Sequence, residues 1–190
     1  MLTRSNVLPN IMTPTTLWSD FDDTLELSAE KLSEESVKGI KYEEVTFLGR
    51  DTGAGRVKAY AVYAYDEAAP SADTVIIFPD SSESVDRNLI DIFVKKGYSA
   101  LMVDYRGEWS GTERFTVYPE NIEYANTLKC GRKKEFVDES ADKTSWYEWV
   151  AVGIYARKYA SLRSGSDNIA LVGLRDGGEI VWKLSVARKF

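Results

Sequence analysis

The hexapeptide Gly173-Leu174-Arg175-Asp176-Gly177-Gly178 constrains this chain more than any other stretch. An apolar run, Asn168-Ile169-Ala170-Leu171-Val172, enters it, and a helix-like run, Glu179-Ile180-Val181-Trp182-Lys183-Leu184, leaves it. Strand, tight glycine turn and helix in direct succession predict a sharp reversal that holds one residue out at its tip. Such a cramped turn needs small residues two positions before and two after the displayed one. Gly173 and Gly177 meet that need for Arg175, whereas Asp176 would be flanked by Leu174 and Gly178. The displayed residue is therefore read as Arg175, and a guanidinium has no electron pair to offer at neutral pH.

The 190 residues are 44% apolar and 28% charged, an ordinary balance for one soluble domain with a real core. A net charge of −6 offers no basic face to nucleic acid or to an anionic membrane. No apolar run approaches the roughly 20 residues of a membrane span. The segment after Met1 lacks the apolar core of a signal peptide, and Cys130 is the only cysteine, so a cytoplasmic setting is expected. Histidine is absent altogether. These residues can build no Ser-His or Cys-His pair, no histidine metal site and no thiolate zinc site. No cofactor and no metal are expected.

Residues 1–41 read as an N-terminal extension that carries Pro9, Pro14 and the acidic run from Asp20 to Asp23, with a short helix over 28–38 capped by Ser28. Residues 42–190 read as one α/β domain. Val45 and Phe47 alternate as in a strand, Gly53-Ala54-Gly55 is a turn, and 57–65 returns as the second arm of an antiparallel hairpin. Thr74 to Phe78 and Ser99 to Val103 are short continuous apolar runs, as in strands buried on both faces. Between them, residues 85–96 are helix-like, with Val85, Leu89, Ile92 and Phe93 as the buried face and Gly97 as the stop. Residues 105–142 form an irregular excursion at a strand end. A helix over 144–160 puts Trp146, Trp149, Val150, Gly153 and Ile154 on one face, more suited to core than to a pocket. Helices between apolar strands imply right-handed crossovers in a mostly parallel sheet.

This order, hairpin, strand-helix-strand, excursion, helix-strand-helix, resembles the first part of an α/β-hydrolase up to and including its nucleophile elbow. Two motifs carry the resemblance further. Asp104-Tyr105-Arg106-Gly107-Glu108-Trp109-Ser110-Gly111 is similar to the D-x-R-G-x-G-x-S loop that follows the fourth strand in many members. Phe78-Pro79-Asp80-Ser81 stands where they carry His-Gly-x, the loop that supplies one oxyanion N–H. The nearest group is that of acetyl xylan esterases, cephalosporin-C deacetylases and dienelactone hydrolases, over residues 42–190. The resemblance implies an elbow serine at position 175, with oxyanion N–H groups at Ser81 and Asp176. It also implies an acid and a histidine on loops beyond the elbow helix. The chain departs from it at Arg175, at Pro79, in lacking histidine, and in stopping at Phe190. A sheet ending at 168–172 would leave an apolar edge that a homo-oligomer, a partner or further polypeptide is expected to cover.

The expected protein is thus an esterase-like α/β-hydrolase fold without serine chemistry. Its alternative is a non-catalytic protein that binds a small acyl or anionic ligand or a partner in the elbow pocket. For the latter, Arg175 could grip a carboxylate or phosphate bidentately; the plain reading is a salt bridge to Asp176, Glu179 or Asp104. Asp176 is the outside candidate for a displaced nucleophile, against a plain role at the positive end of a helix. Tyr105, Trp109, Phe115 and Tyr118 are candidates to line a pocket, since open α/β sheets bind ligands at strand ends. Asp20-Phe21-Asp22-Asp23-Thr24 matches the D-x-D-x-T nucleophile motif of haloacid dehalogenase-type phosphatases, which requires the end of a buried strand. The plain reading there is that Trp18 and Phe21 pack the extension onto the core while the aspartates face water.

Overall fold

The computed structural model describes residues 13–129 and 140–187. Pro9 and Cys130 lie outside the described residues. After a one-turn helix α1 (Pro14–Leu17), the chain runs β1 (Glu30–Val37), β2 (Ile40–Asp51), β3 (Arg56–Asp66), β4 (Thr74–Phe78), α2 (Arg87–Val94) and β5 (Ser99–Asp104). A short 3-10 helix (Glu120–Ala125) precedes α3 (Ser145–Ser164), β6 (Ile169–Gly173) and α4 (Asp176–Ala187). Among the described residues the sheet has six strands, in the order β1-β2-β3-β5-β4-β6. β1, β2, β3 and β5 pair antiparallel in succession, while β4 pairs parallel with both β5 and β6.

Every residue of β4 and β5 is buried, because helices cover both faces. The two-residue period of a strand divides β4 cleanly. Val75 and Ile77 join Ile90 and Val94 of α2 on one face, and Ile76 and Phe78 join Tyr155, Ile180 and Leu184 of α3 and α4 on the other. Register places Ile76 opposite both Leu101 of β5 and Leu171 of β6. Helix α3 begins at Thr144, whose Oγ1 accepts the amide of Tyr147 at 3.1 Å, and ends at Gly165 in the left-handed region. It is buried on nearly all sides. A Cβ at Gly153 would stand 3.1 Å from the Leu184 side chain and 3.3 Å from the Phe78 ring, so the glycine sets how closely α3, α4 and β4 approach.

Two local expectations are corrected. Residues 28–38 form no helix: Glu30–Val37 is strand β1, turned back onto β2 through Lys38 and Gly39 at φ 52° and 82°. Two successive positive-φ residues make the tight turn that matches strand twist. The segment has only Leu32 and Val37 as large apolar residues, too few for a helical face. The α/β sheet is mixed: the added strand lengthens its antiparallel part, and the parallel pairings are those of β4 with β5 and β6. In α2 the fully buried residues are Ile90 and Val94, with Val85, Leu89 and Phe93 partly buried, while Ile92 is 48% exposed. The remaining expected elements form where the sequence patterns place them.

The N-terminal segment packs as anticipated. Trp18 stacks on Tyr147 at 4.4 Å, and Phe21 meets the rings of Tyr147 and Tyr155 edge-on at 6.4 and 5.9 Å. Tyr155 Oη donates to the carbonyl of Asp22, and Lys158 Nζ donates to those of Asp23 and Leu25.

Candidate functional site: an elbow that displays an arginine

The turn between β6 and α4 is as tight as its glycines require. A Cβ built on Gly173 would lie 2.2 Å from the carbonyl oxygen of Gly177, and one on Gly177 would lie 2.1 Å from that of Phe78. At Gly178 the nearest atom would be 3.6 Å away, an ordinary contact. The two glycines that the backbone demands are those flanking Arg175, so Arg175 is the residue held at the tip. It adopts φ +48°, a left-handed conformation that costs a side-chain-bearing residue roughly 1–2 kcal/mol. The amide of Leu174 donates to the Phe78 carbonyl at 3.0 Å, and those of Gly177 and Gly178 close the turn onto Leu174 and Arg175.

The Arg175 side chain is 81% exposed, and its Nη1 lies 3.2 Å from Oδ2 of Asp80. Burial works against the charge on Asp80, but hydrogen bonds from Arg175 and from Ser82 outweigh it and hold the carboxyl below its ordinary value. One residue on, Ser81 Oγ donates to Oδ2 of Asp176, the first residue of α4. The ends of β4 and β6 are neighbours in the sheet, and this brings Asp80, Ser81, Arg175 and Asp176 together.

No family profile and no curated protein matches the sequence. Among solved structures the chain is similar to acetyl xylan esterase 1 from Thermoanaerobacterium, with a TM-score of 0.60 and 16% identity over 92% of this chain and 54% of that one. It is similar to the acetyl xylan esterase from Paenibacillus, at 0.57 and 17% over 90% and 52%. A cold-adapted esterase from an Arctic intertidal metagenomic library gives 0.53 and 13% over 83% and 58%. The chain has the α/β-hydrolase fold. It spans about half the length of the solved structures it matches.

In this α/β-hydrolase fold the ion pair of Arg175 runs to Asp80, not to Asp176, Glu179 or Asp104 as the sequence had suggested. Asp80 was the missed residue: the sequence placed it in the loop Phe78-Pro79-Asp80-Ser81 after a buried strand but gave its carboxylate no role. Tyr105 and Tyr118 are also corrected, from pocket lining to core. Tyr105 is fully buried and donates its hydroxyl to the Pro79 carbonyl at 2.6 Å, while the Tyr118 hydroxyl donates to the carbonyl of Tyr105. Phe115 is partly buried, and the Trp109 ring lies 5.2 Å from the Arg106 guanidinium.

The loop after β5 is pinned by Asp104. Its Oδ2 accepts the amide of Thr116 at 2.7 Å and its Oδ1 accepts that of Arg106 at 3.3 Å. Thr116 in turn accepts the amide of Tyr60 on Oγ1 and donates to the Asp104 carbonyl. Full burial pushes the Asp104 carboxyl up to about 6 against the pull of these amides and of Arg106.

The D-x-D-x-T segment lacks the context that phosphoryl transfer needs. Asp20 and Asp22 sit on an exposed loop after the one-turn α1, not at the end of a strand. Asp22 Oδ1 accepts the amide and hydroxyl of Thr24 at 2.8 and 2.6 Å, an ordinary turn motif. No helix among the described residues is long and apolar enough to cross a membrane.

Proposed function

We propose that this chain is an esterase-like α/β-hydrolase-fold protein whose elbow does not carry out acyl transfer. The observation behind the reading is Arg175 itself, held at positive φ between two glycines that tolerate no Cβ. A serine there would attack an acyl carbonyl while amides at 81 and 176 held the oxyanion. A guanidinium at the same tip can only bind. The chain also lacks any histidine to act as general base. Purified protein is expected to hydrolyse p-nitrophenyl acetate no faster than an equal concentration of Arg175→Ala. A burst of p-nitrophenol that Arg175→Ala abolishes would overturn the reading.

A second reading has its own support. Among the described residues the exposed guanidinium has a single carboxylate partner, Asp80, so a small carboxylate or phosphate could compete for it at the elbow. Thermal shifts with small carboxylates and phosphates would then be smaller in Arg175→Ala than in wild type. Equal shifts in the two proteins would sink this reading.

A further inference from the structure

Strand β6 (Ile169–Gly173) pairs with β4 alone among the described strands, so its other side is an edge of the sheet. Ala170 is exposed and the other four residues are only partly buried, whereas every residue of β4 and β5 is buried. Two hydrogen bonds fix which backbone groups face that edge. The Asn168 carbonyl accepts the amide of Thr74 at 3.1 Å, and the Leu174 amide donates to the Phe78 carbonyl at 3.0 Å. Successive peptide groups of a strand alternate sides. Asn168, Ala170, Val172 and Leu174 therefore turn their N–H and C=O groups toward β4, and Ile169, Leu171 and Gly173 turn theirs outward.

The strand itself carries no charge, but a charge stands beyond each end. Exposed Asp167 lies two residues before it, and Arg175, with a side chain 81% exposed, lies two residues after it. Asp167 accepts from Ser161 Oγ at 2.6 Å, and Arg175 reaches Asp80 through Nη1. Leu171 is the midpoint between the two charges, so the edge is complementary to its own reverse.

We propose that a second copy of this chain adds to the β6 edge, antiparallel, about a two-fold axis at Leu171. Leu171 then faces Leu171 of the second copy and Ile169 faces Gly173, so outward N–H groups meet outward C=O groups in each pair. Asp167 comes level with Arg175 of the second copy, once at each end of the ribbon. Opposed side chains share a face, so the Leu171 side chains, each packed against the α3–α4 side of the core, meet across the axis. A slip of one residue would set outward groups against inward ones. A slip of two would separate Asp167 from Arg175, and a parallel alignment would oppose like charges. The pairing uses the β6 edge of both copies, so assembly stops at the dimer. The shared ribbon is short, so the dissociation constant is expected on the order of 10–100 μM.

Sedimentation equilibrium of the purified chain from about 5 to 500 μM, in a buffer free of carboxylate and phosphate, is expected to show monomer and dimer alone. Asp167→Arg and Arg175→Asp each turn attraction into repulsion at both ends and are expected to weaken association about tenfold, while the double variant restores opposite charges and recovers it. Register has its own test in a Cys130→Ser background. Leu171→Cys is expected to cross-link to its own copy under oxidised glutathione, since hydrogen-bonded partners lie about 5.5 Å apart; Ala170→Cys, about 7–8 Å from its own copy, is not. A chain still monomeric at the highest concentration, assembly beyond a dimer, no recovery in the double variant, or faster cross-linking by Ala170→Cys would each overturn the proposal. Circular dichroism establishes that each variant is folded; if Arg175→Asp is not, the cysteine variants decide.

Discussion

Gly177 and Gly178 are adjacent and chemically identical, yet a methyl group on one strikes a carbonyl at 2.1 Å and on the other meets ordinary contacts. Gly177→Ala is therefore expected to destabilise the fold by more than about 3 kcal/mol, since the obstructing atoms are backbone and cannot turn aside. Gly178→Ala replaces a helical glycine at a roomy site and should leave stability unchanged or raise it by up to about 1 kcal/mol. Urea denaturation of the two variants measures both, and equal losses would contradict the close approach of β4 to the elbow. Arg175→Ser restores a hydroxyl at the tip but no general base, so it should gain no esterase turnover with p-nitrophenyl acetate. At this scale the sequence was informative where stereochemistry is local. The glycine spacing around Arg175 identified the displayed residue. The partner of Arg175 was not legible, because Asp80 stands 95 positions earlier and meets it only through the pairing of β4 with β6.

Among the elements, the two edges of the sheet formed by the described residues differ in kind. β1 is exposed along its length and carries Glu30, Lys31, Glu34 and Glu35, charges that discourage pairing with another chain. β6 presents Ile-Ala-Leu-Val-Gly without a charge, and exposed Trp182 and Val186 lie on the helix that follows it. Self-association, where it occurs, is expected to run through the β6 edge. Ala170→Lys should then reduce the concentration-dependent mass seen by light scattering, with little change in melting temperature; an unchanged mass distribution in a protein that does associate would argue for another face. The helix α3 holds a second test. Arg50 grips fully buried Glu148 with two hydrogen bonds of 2.7 Å. Burial raises the Glu148 carboxyl above its ordinary value, with Arg50 opposing. Arg50→Met leaves that carboxylate unpaired and should cost about 3–5 kcal/mol at neutral pH. The loss should shrink in acid, where Glu148 takes up a proton instead, and urea midpoints at pH 7 and pH 5 compare the two. Of the elements themselves, β1 was the one misread. Its identity depends on the Lys38-Gly39 turn and on β2 beside it, whereas its own polar sequence has no period to read.

For the whole molecule, pH dependence follows from which carboxyls gain and which lose by folding. Asp104 is pushed up to about 6 from an ordinary 3.8, so its ionisation works against the folded state. The penalty is full above pH 6, fades as pH falls toward 4 and amounts to at most about 3 kcal/mol. Asp80 and Asp91 are shifted the other way, each despite burial: Asp80 by Arg175 and Ser82, Asp91 by Tyr42 and Lys95. Their contribution is lost only in stronger acid. Stability is therefore expected to peak near pH 5, with a higher urea midpoint there than at pH 7, and Asp104→Asn should flatten most of that difference. A wild-type midpoint that does not change between the two would refute the account. The amino-acid sequence by itself determined the buried strands β4 and β5, the apolar strand β6, the glycine elbow and the arginine displayed on it. Apolar periodicity and the conformational demands of glycine act over a few residues and can be read along the chain. Only the tertiary structure decided that Arg175 pairs with Asp80, that Ser81 meets Asp176, and that Tyr105 and Tyr118 belong to the core. Each of these depends on which strand ends lie side by side, a consequence of strand order and of burial from both faces, which no short stretch of sequence contains.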